Sequence, residues 1–536
     1  MAPTSTPSEP HAMPLAAGLL REPQPLGPGL YSTDAFHRRP LFAVQPQGAG
    51  DDDTAPVVAS WEEALALHGP LNAEAINPAW LAALISDRKT ADQAPYRRIA
   101  RLPRAHHVAI QANGRRQLAA YDPLAGGAGP MAPEALHGLI RAGLLSHLQG
   151  ALAGWEGPIG CEHSSGIDSN AVLGGLVRGL GVAPERIHTW SNEGGGEGPL
   201  LEQFRPFYGL SAEQVNRGGP GVATAPDSPD PLPDPLSVLG APAQIGGMLP
   251  ALTGFQAAGA AVIFSGFGGD QALSHNACNV ATDLVAQGRW RELLAWMEGS
   301  PKRAIKTGLG RSLALRSRRF IQHKIDQRTR LFCQSDLLER HLSERGRQWL
   351  GPHLQSDHPW EINGYVPLHT SLRQRVLAPW VAVRAEEETR LATAFGLRKA
   401  FPLLDERLIG TLLQQDPMHF GEVAGRGRLV ARRAFEPFLP PFLASNPSKD
   451  REGFEAEHAA REKALPGQLG AALEELQDNL HPVAAGLWHW PEIRREVETL
   501  LHQPSPAKQQ LMGNLRALGT LKQVNSWLMW LDQQGG

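Results

Sequence analysis

The chain has three cysteines in 536 residues, Cys161, Cys278 and Cys333, and no two of them form a C-x-x-C pair. So sparse and odd a set argues against a disulfide framework and a thiolate zinc site, and it fits a reducing cytosol. Long apolar runs are missing as well, so no segment reads as a bilayer span. No basic residue precedes Arg21, and the apolar patch before it is short and broken by proline, unlike a secretory signal. An excess of one charge is also absent: 51 Lys and Arg stand against 54 Asp and Glu, a formal net charge of -3. That balance gives no reason to expect nucleic acid or a membrane as partner. The expectation is a cytoplasmic protein.

What is present describes a globular chain, 42% hydrophobic and 20% charged, too long for one ordinary core. Residues 1–30 read as a flexible Pro-rich tail. Over 31–130 the pattern is mixed, with short helices in "WEEALALHGPLN" and "PAWLAALISD" and a hairpin in "HHVAIQANGRRQLAAYD". Asn113-Gly114 supplies the positive φ angles of its turn. The Gly/Pro-rich "PLAGGAGPMAP" (123–133) marks a boundary, and residues 131–536 form the second domain. There, strands alternate with helices: a strand into "HSSGIDS", a strand "RIHTWS", and a strand "AAVIFSG" running into "FGGD". This order predicts an α/β fold with a parallel sheet and ligands at the carboxyl ends of its strands. Asn216–Ser237 reads as a low-complexity loop, and the chain beyond about Cys278 is helical in pattern.

The turn Ser164-Ser165-Gly166-Ile167-Asp168-Ser169 combines small residues, free backbone N–H groups and a helix N-terminus, which together favour an anion. Asp168 and Ser169 stand where a helix cap is expected. The turn is not a Walker A loop, because it has no lysine. A carboxylate beside phosphates calls for a divalent cation between them. Ser265-Gly266-Phe267-Gly268-Gly269-Asp270 repeats the design, so Asp168 and Asp270 would flank a metal-bound polyphosphate. Each turn alone is equally well read as an ordinary capped helix; the pair carries the argument.

With both turns in hand, the sequence resembles the asparagine synthetase superfamily. "SSGIDS" resembles its S-G-G-x-D-S pyrophosphate loop and "SGFGGDQ" its S-G-x-G-x-D-E turn. "GLRKAFPLLDERLIG" and "GRLVARRAFEPFLPPFLASNPSKDREGF" resemble its later segments, in order. The resemblance implies an ATP-pyrophosphatase-type synthetase domain with a helical C-terminal part. It would activate a carboxylate with Mg-ATP as an acyl-adenylate, releasing pyrophosphate, and an attacking amine would then take the acyl group and displace AMP. By position, Ser164, Ser165, Gly166, Asp168 and Ser169, with Ser265 and Gly266, would bind ATP and pyrophosphate. Asp168 and Asp270 would hold Mg²⁺, and Lys449 would stabilise developing negative charge.

The departures narrow the class. Glutamine-dependent members carry a nucleophilic Cys after Met1, where this chain has Ala2. The resemblance therefore implies an α+β glutaminase-like domain over 31–130 without its catalytic residue. β-Lactam synthetases and the cyclases that close lasso peptides share that loss. The former use a tyrosine where this chain has Phe267, and Gln271 after Asp270 is more like the lasso cyclases. A lasso cyclase would take an Asp or Glu side chain of a leader-free ribosomal core peptide and join it to the peptide's own N-terminal amine. Such an enzyme serves antibiotic biosynthesis and works beside a leader peptidase. Its amine base would be Glu387, within Glu386-Glu387-Glu388, or His275; three adjacent glutamates read equally as a solvated face. A β-lactam or ammonia-using synthetase, a non-catalytic nucleotide-binding scaffold and a tRNA-modifying enzyme are the alternatives. The basic run from Arg289 to Arg330 reads as a solvated face or a partner dock, and Trp488, Trp490, Trp527 and Trp530 read as core.

Overall fold

The structure, a computed structural model, describes residues 30–33, 41–44, 57–59, 61–68, 71–86, 93–110, 116–192, 198–218, 242–274, 280–297, 336–354, 367–420, 428–445, 451–477 and 479–534, with isolated positions in 302–319. Eleven strands are described in chain order: β1 (Leu30–Ser32), β2 (Phe42–Val44), β3 (Val57–Ala59), β4 (Ile99–Arg101), β5 (His106–Ile110) and β6 (Arg116–Ala120) come first. They are followed by β7 (Ile159–Glu162), β8 (Ile187–Asn192), β9 (Val215–Gly218), β10 (Val262–Phe264) and β11 (Arg398–Ala400).

The last five strands make one sheet in the order β11-β10-β7-β8-β9, with every pairing parallel. Both faces are covered, which is why β10 reads Val-Ile-Phe without a polar residue. Alternation along the strand sends Val262 and Phe264 to one core and Ile263 to the other. The first core receives the Pro133–Leu152 helix through Leu136, Ile140, Leu144 and Leu148, one apolar stripe at a spacing of four. On the second face the Pro242–Ala257 helix comes so close that a Cβ on Gly160 would lie 2.9 Å from the Phe255 ring. The sheet predicted from the alternating pattern is present.

The N-terminal segment forms two antiparallel three-stranded sheets, β1-β5-β6 and β3-β2-β4. The hairpin expected around residue 113 is the β5–β6 pair; Asn113 and Gly114 lie outside the described residues. Period-two alternation on β2 turns Ala43 toward Val108 of β5, while Phe42 and Val44 join a core shared with the C-terminal helices. That core holds Trp80, Tyr96, Trp488 and Trp527; the Trp527 indole donates to the Tyr96 hydroxyl at 3.1 Å. All four C-terminal tryptophans belong to this core or pack against it, as expected.

The Gly/Pro-rich stretch 123–133 is fastened to the synthetase side. A Cβ on Gly127 would lie 2.1 Å from the Gly410 carbonyl carbon, so glycine is required for the approach. The Ala128 N–H donates to Thr411 Oγ1 at 2.9 Å and the Met131 N–H to Gln415 Oε1 at 3.1 Å. Two local readings are corrected. Residues 216–218 belong to β9, an edge strand, while residues 219–237 lie outside the described set. Arg398–Ala400 is a strand inside the part read as helical, stabilised by parallel pairing with β10.

Candidate active site

Strand order reverses around β7: the chain runs outward to β8 and β9 on one side, then returns to add β10 and β11 on the other. In such sheets the crevice lies beyond the carboxyl ends of the strands flanking the reversal. The two turns singled out in the sequence leave from those ends, of β7 and β10.

The first turn is built by hydrogen bonds within itself. Ser169 Oγ accepts from the Ser164 N–H at 3.1 Å and lies 3.0 Å from Ser164 Oγ, which accepts from the Gly166 N–H at 3.2 Å. Beneath it, Asn170 is fully buried and its amide donates to the carbonyls of Ser164 and Gly166 at 2.7 and 2.8 Å. Asn170 Oδ1 accepts from the Tyr208 hydroxyl at 3.0 Å and lies 3.0 Å from His163 Nε2. With those carbonyls drawn inward, the turn cannot present them to an anion. Helix Ile167–Gly174 begins two to three residues earlier than expected, with Gly166 as its cap and Asp168 in its first turn. Asp168 and Ser169 are therefore not the cap. The Ser169 hydroxyl instead folds back on the loop.

The second turn presses against the first. A Cβ on Gly266 would stand 2.6 Å from the Ser169 nitrogen, and one on Gly269 only 2.2 Å from the Asp168 carboxyl carbon. Gly268 has φ +103°, a conformation that favours glycine. Ser265 is buried; its N–H donates to the Ala400 carbonyl of β11, and its hydroxyl accepts from the Phe267 N–H. The consequence is a meeting of the two carboxylates. Ser274 Oγ lies 2.9 Å from Asp168 Oδ2 and 3.2 Å from Asp270 Oδ1, donating its one proton between them. Asp168 is buried, whereas Asp270 is exposed and ion-paired to Arg428 at 3.0 Å. Arg428 has φ +65°.

These oxygens suit Mg²⁺, which takes one or two protein carboxylates and completes its shell with phosphate and water oxygens. Among the described residues no group of three or more His, Cys, Asp or Glu side chains could hold a metal. The pair fits an ion that arrives with its nucleotide.

The acidic triplet on helix Pro379–Ala394 is not a solvated face. Glu386 is buried between Arg101 of β4, at 2.8 Å, and Arg390, at 3.1 Å. Glu388 accepts from Arg384 Nε at 2.6 Å and from Lys399 Nζ at 2.8 Å, and Lys399 also pairs with Glu162 at the end of β7. Burial alone would raise the Glu388 carboxyl, but Lys399 and then Arg384 outweigh it and hold it below its ordinary value. Burial alone would lower the Lys399 amine, yet Glu162 and Glu388 raise it, so both groups are charged. Glu387, the candidate base, is half-buried and adds to the negative field on Arg384. Arg384 in turn lies over Phe267, its guanidinium carbon 4.3 Å from the ring centre.

The structure thus brings together Ser164, Ser165, Gly166, Asp168, Ser169, Ser265, Gly266 and Asp270. Lys449 and His275 lie outside the described residues, as does most of the run from Arg289 to Arg330. Sequence reasoning missed Ser274, Asn170, Arg428 and the Lys399 network. Of these, Asn170 left a signal: an amide inside an otherwise apolar helix must find partners. Cys161 is buried and free, and burial, followed by the neighbouring Glu162, pushes its thiol up and away from reactivity. A cleft of about 660 Å³, bordered by Arg340, His341 and Glu496, lies among C-terminal helices and shares no residue with this site.

A parallel α/β sheet with two small-residue turns and a carboxylate pair at its switch point has the form of a ligand-binding crevice suited to an anion with its cation. The asparagine synthase family matches residues 153–531, and the chain belongs to it. Members are ATP-dependent ligases that form AMP and typically use Mg²⁺. This protein falls with the ATP-dependent amide ligases. Comparison with curated proteins finds no match. No described helix is long and apolar enough to cross a membrane.

Proposed function

We propose that this chain is a lasso peptide cyclase, an enzyme that closes a macrolactam between an Asp or Glu side chain and the N-terminal amine of the same core peptide. The observation that carries the ligase chemistry is the Ser274-bridged approach of Asp168 and Asp270 at the sheet's switch point. What supports the narrower reading is the sequence: Phe267 in place of a proton-transferring tyrosine, and Gln271 after Asp270. On this reading the amine comes from the substrate.

On this reading the carboxylate oxygen attacks the α-phosphorus, the α–β phosphoanhydride bond breaks and pyrophosphate leaves. The amine next attacks the acyl carbon, AMP leaves, and one proton passes to a base. The turn of Ser164, Ser165, Gly166 and Ser169 receives the pyrophosphate, its Ser164 and Gly166 N–H groups and Ser169 hydroxyl exchanging the bonds they make within the turn for phosphate oxygens, aided by the N-terminus of Ile167–Gly174. Ser265 and Gly266 line the nucleotide. Asp168 and Asp270 would hold Mg²⁺, which neutralises phosphate charge when bound. Lys449 is assigned to the charge of the transition state and Glu387 to the amine proton. Closing a ring of about nine residues costs only roughly 2 kcal/mol of length-dependent entropy, so threading is the harder task. Residues 31–130 serve as a glutaminase-like scaffold without the nucleophile. A leader peptidase supplies the free amine, and the setting is cytoplasmic, without nucleic acid or membrane.

Mass spectrometry of core peptides incubated with enzyme, Mg-ATP and a leader peptidase tests the reading. The expected result is loss of one water with AMP and pyrophosphate, absent with Asp168→Ala. Turnover with small amino acids alone would assign a synthetase instead. ATP binding without product from any carboxylate would leave a scaffold.

A further inference from the structure

We propose that Arg384 is the anchor for the substrate carboxylate, gripping it through both terminal guanidinium nitrogens beside the Phe267 turn. The inference rests on the ligase reading above and adds to it the residue that selects and holds the acyl donor.

Three features make Arg384 a built site. Its inner edge is fixed: Nε donates to Glu388 Oε1 at 2.6 Å, and Glu388 is in turn held by the fully buried Lys399. Its plane is also fixed, lying over Phe267, whose ring meets Phe401 at 5.9 Å and Trp380 at 6.0 Å between centres. Phe267 itself cannot drift, because Gly266 and Gly269 on either side press on the Asp168–Ser169 backbone and the Asp168 carboxyl. The outer edge is what remains. Among the described residues Nη1 and Nη2 have no hydrogen-bond or ion-pair partner, although the side chain is only 38% exposed.

A planar guanidinium held by one edge and one face, with its fork left open, matches the two oxygens of a carboxylate. The surroundings need such a donor. A carboxylate entering here would face Glu388, Glu162 and Glu387, a repulsive set unless something of opposite charge receives it. Phosphate is the less suitable ligand. The phosphate cradle lies on the β7 side of the second turn, against Ser169, whereas Phe267 points to the β11 side, against Phe401 and Trp380. Trp380, 43% exposed and one helical turn before Arg384, offers an apolar shelf for the rest of the acidic residue.

The kinetic signature follows from charge. The donor carboxylate is anionic before activation and neutral once acylated, so Arg384 acts mainly on ground-state binding. Its loss then raises KM and leaves kcat within a few-fold.

The test measures pyrophosphate release with Mg-ATP and a synthetic peptide amide that has a free N-terminus and one internal glutamate. The same peptide with glutamine is the blank. For Arg384→Gln the expected result is a KM for the peptide about 10- to 100-fold higher, with the KM for ATP unchanged. Arg384→Lys, which keeps a charge opposite Glu388 but loses the fork, should fall between. Added guanidinium should lower the peptide KM of Arg384→Ala, a rescue that a purely structural role would not give. An unchanged peptide KM in Arg384→Gln and Arg384→Lys overturns the assignment. A raised KM for ATP instead identifies a phosphate contact and overturns it too. A wild-type enzyme that releases no pyrophosphate with any carboxylate removes the ligase reading itself, before any variant is compared.

Discussion

Gly269 lies against Asp168 with no room for a side chain: a Cβ there would come within 2.2 Å of the carboxyl carbon and 2.4 Å of Oδ1. The second turn is thus the wall that fixes where the Asp168 carboxylate points. Replacing Gly269 by Ala forces Asp168 away from Ser274 and Asp270. We expect pyrophosphate formation to fall at least about 100-fold, with a stability loss of about 1–3 kcal/mol. The control is Gly138→Ala, in a helix with open space around it, which should stabilise by about 0.5–1 kcal/mol and leave turnover intact. Equal activity of the two variants would remove the wall from the account.

Asn170 ties the first turn to the core through both ends of its amide. Asn170→Ala removes the amide donors to the Ser164 and Gly166 carbonyls, leaving them the Ser169 hydroxyl and, for Gly166, the backbone N–H of residue 170, and it leaves the Tyr208 hydroxyl only carbonyl acceptors at 3.3 Å. A loss of about 1–3 kcal/mol is expected in chemical denaturation, and the affinity for Mg-ATP should fall with it. Asn170→Asp keeps the shape but removes both donors, so it should be no better than alanine. A variant as stable as the parent would show that the turn holds its form without this amide.

The parts legible in the sequence were those encoded locally. A strand, a small-residue turn and a capped helix succeed one another within about 20 residues around Ser164, and the same grammar recurs before Asp270. Which carboxylates would pair could be guessed because each closed such a turn. What was not legible depends on partners far away. Ser274 reaches Asp168 across 106 positions, and nothing in its neighbourhood marks it. β11 reads Arg-Lys-Ala, poor strand material by composition; it is a strand because β10 pairs with it and because Glu162 and Glu388 neutralise Lys399 from other elements. The three glutamates failed as a solvated face for the same reason. Their cations, Arg101 and Lys399, come from strands elsewhere in the chain.

The carboxylate pair should divide its labour unequally. Asp168 is buried and walled in, whereas Asp270 is exposed and shares its charge with Arg428. Asp168→Asn and Asp270→Asn should each reduce turnover by at least about 100-fold, as expected for removal of a preorganised electrostatic group. Excess Mg²⁺ should recover part of the loss only in Asp270→Asn, where solvent can complete the shell. Isothermal titration of each variant with Mg-ATP, together with pyrophosphate release, separates binding from chemistry. Full activity in either variant would take that residue out of the metal site.

Lys399, Glu388, Glu162 and Arg384 form a buried ion network whose pH dependence has a definite sign. The Glu388 carboxyl is held below its ordinary value of 4.5, so its contribution to stability is complete above that pH and is lost as pH falls through the lowered value. The Lys399 amine is raised above its ordinary 10.5, so its contribution is complete below that pH and is lost only as pH climbs through the raised value. Between these edges the network adds no slope. Lys399→Met leaves Glu388 buried with Arg384 alone and should cost about 3–5 kcal/mol near neutrality. Without the lysine, the Glu388 carboxyl rises and the acid edge moves to higher pH. Urea unfolding of parent and variant across a pH series measures both effects. A variant that keeps the parent's midpoint and the parent's acid edge would mean that Glu388 is held by Arg384 alone, and that Lys399 stabilises β11 only through the packing of its methylenes.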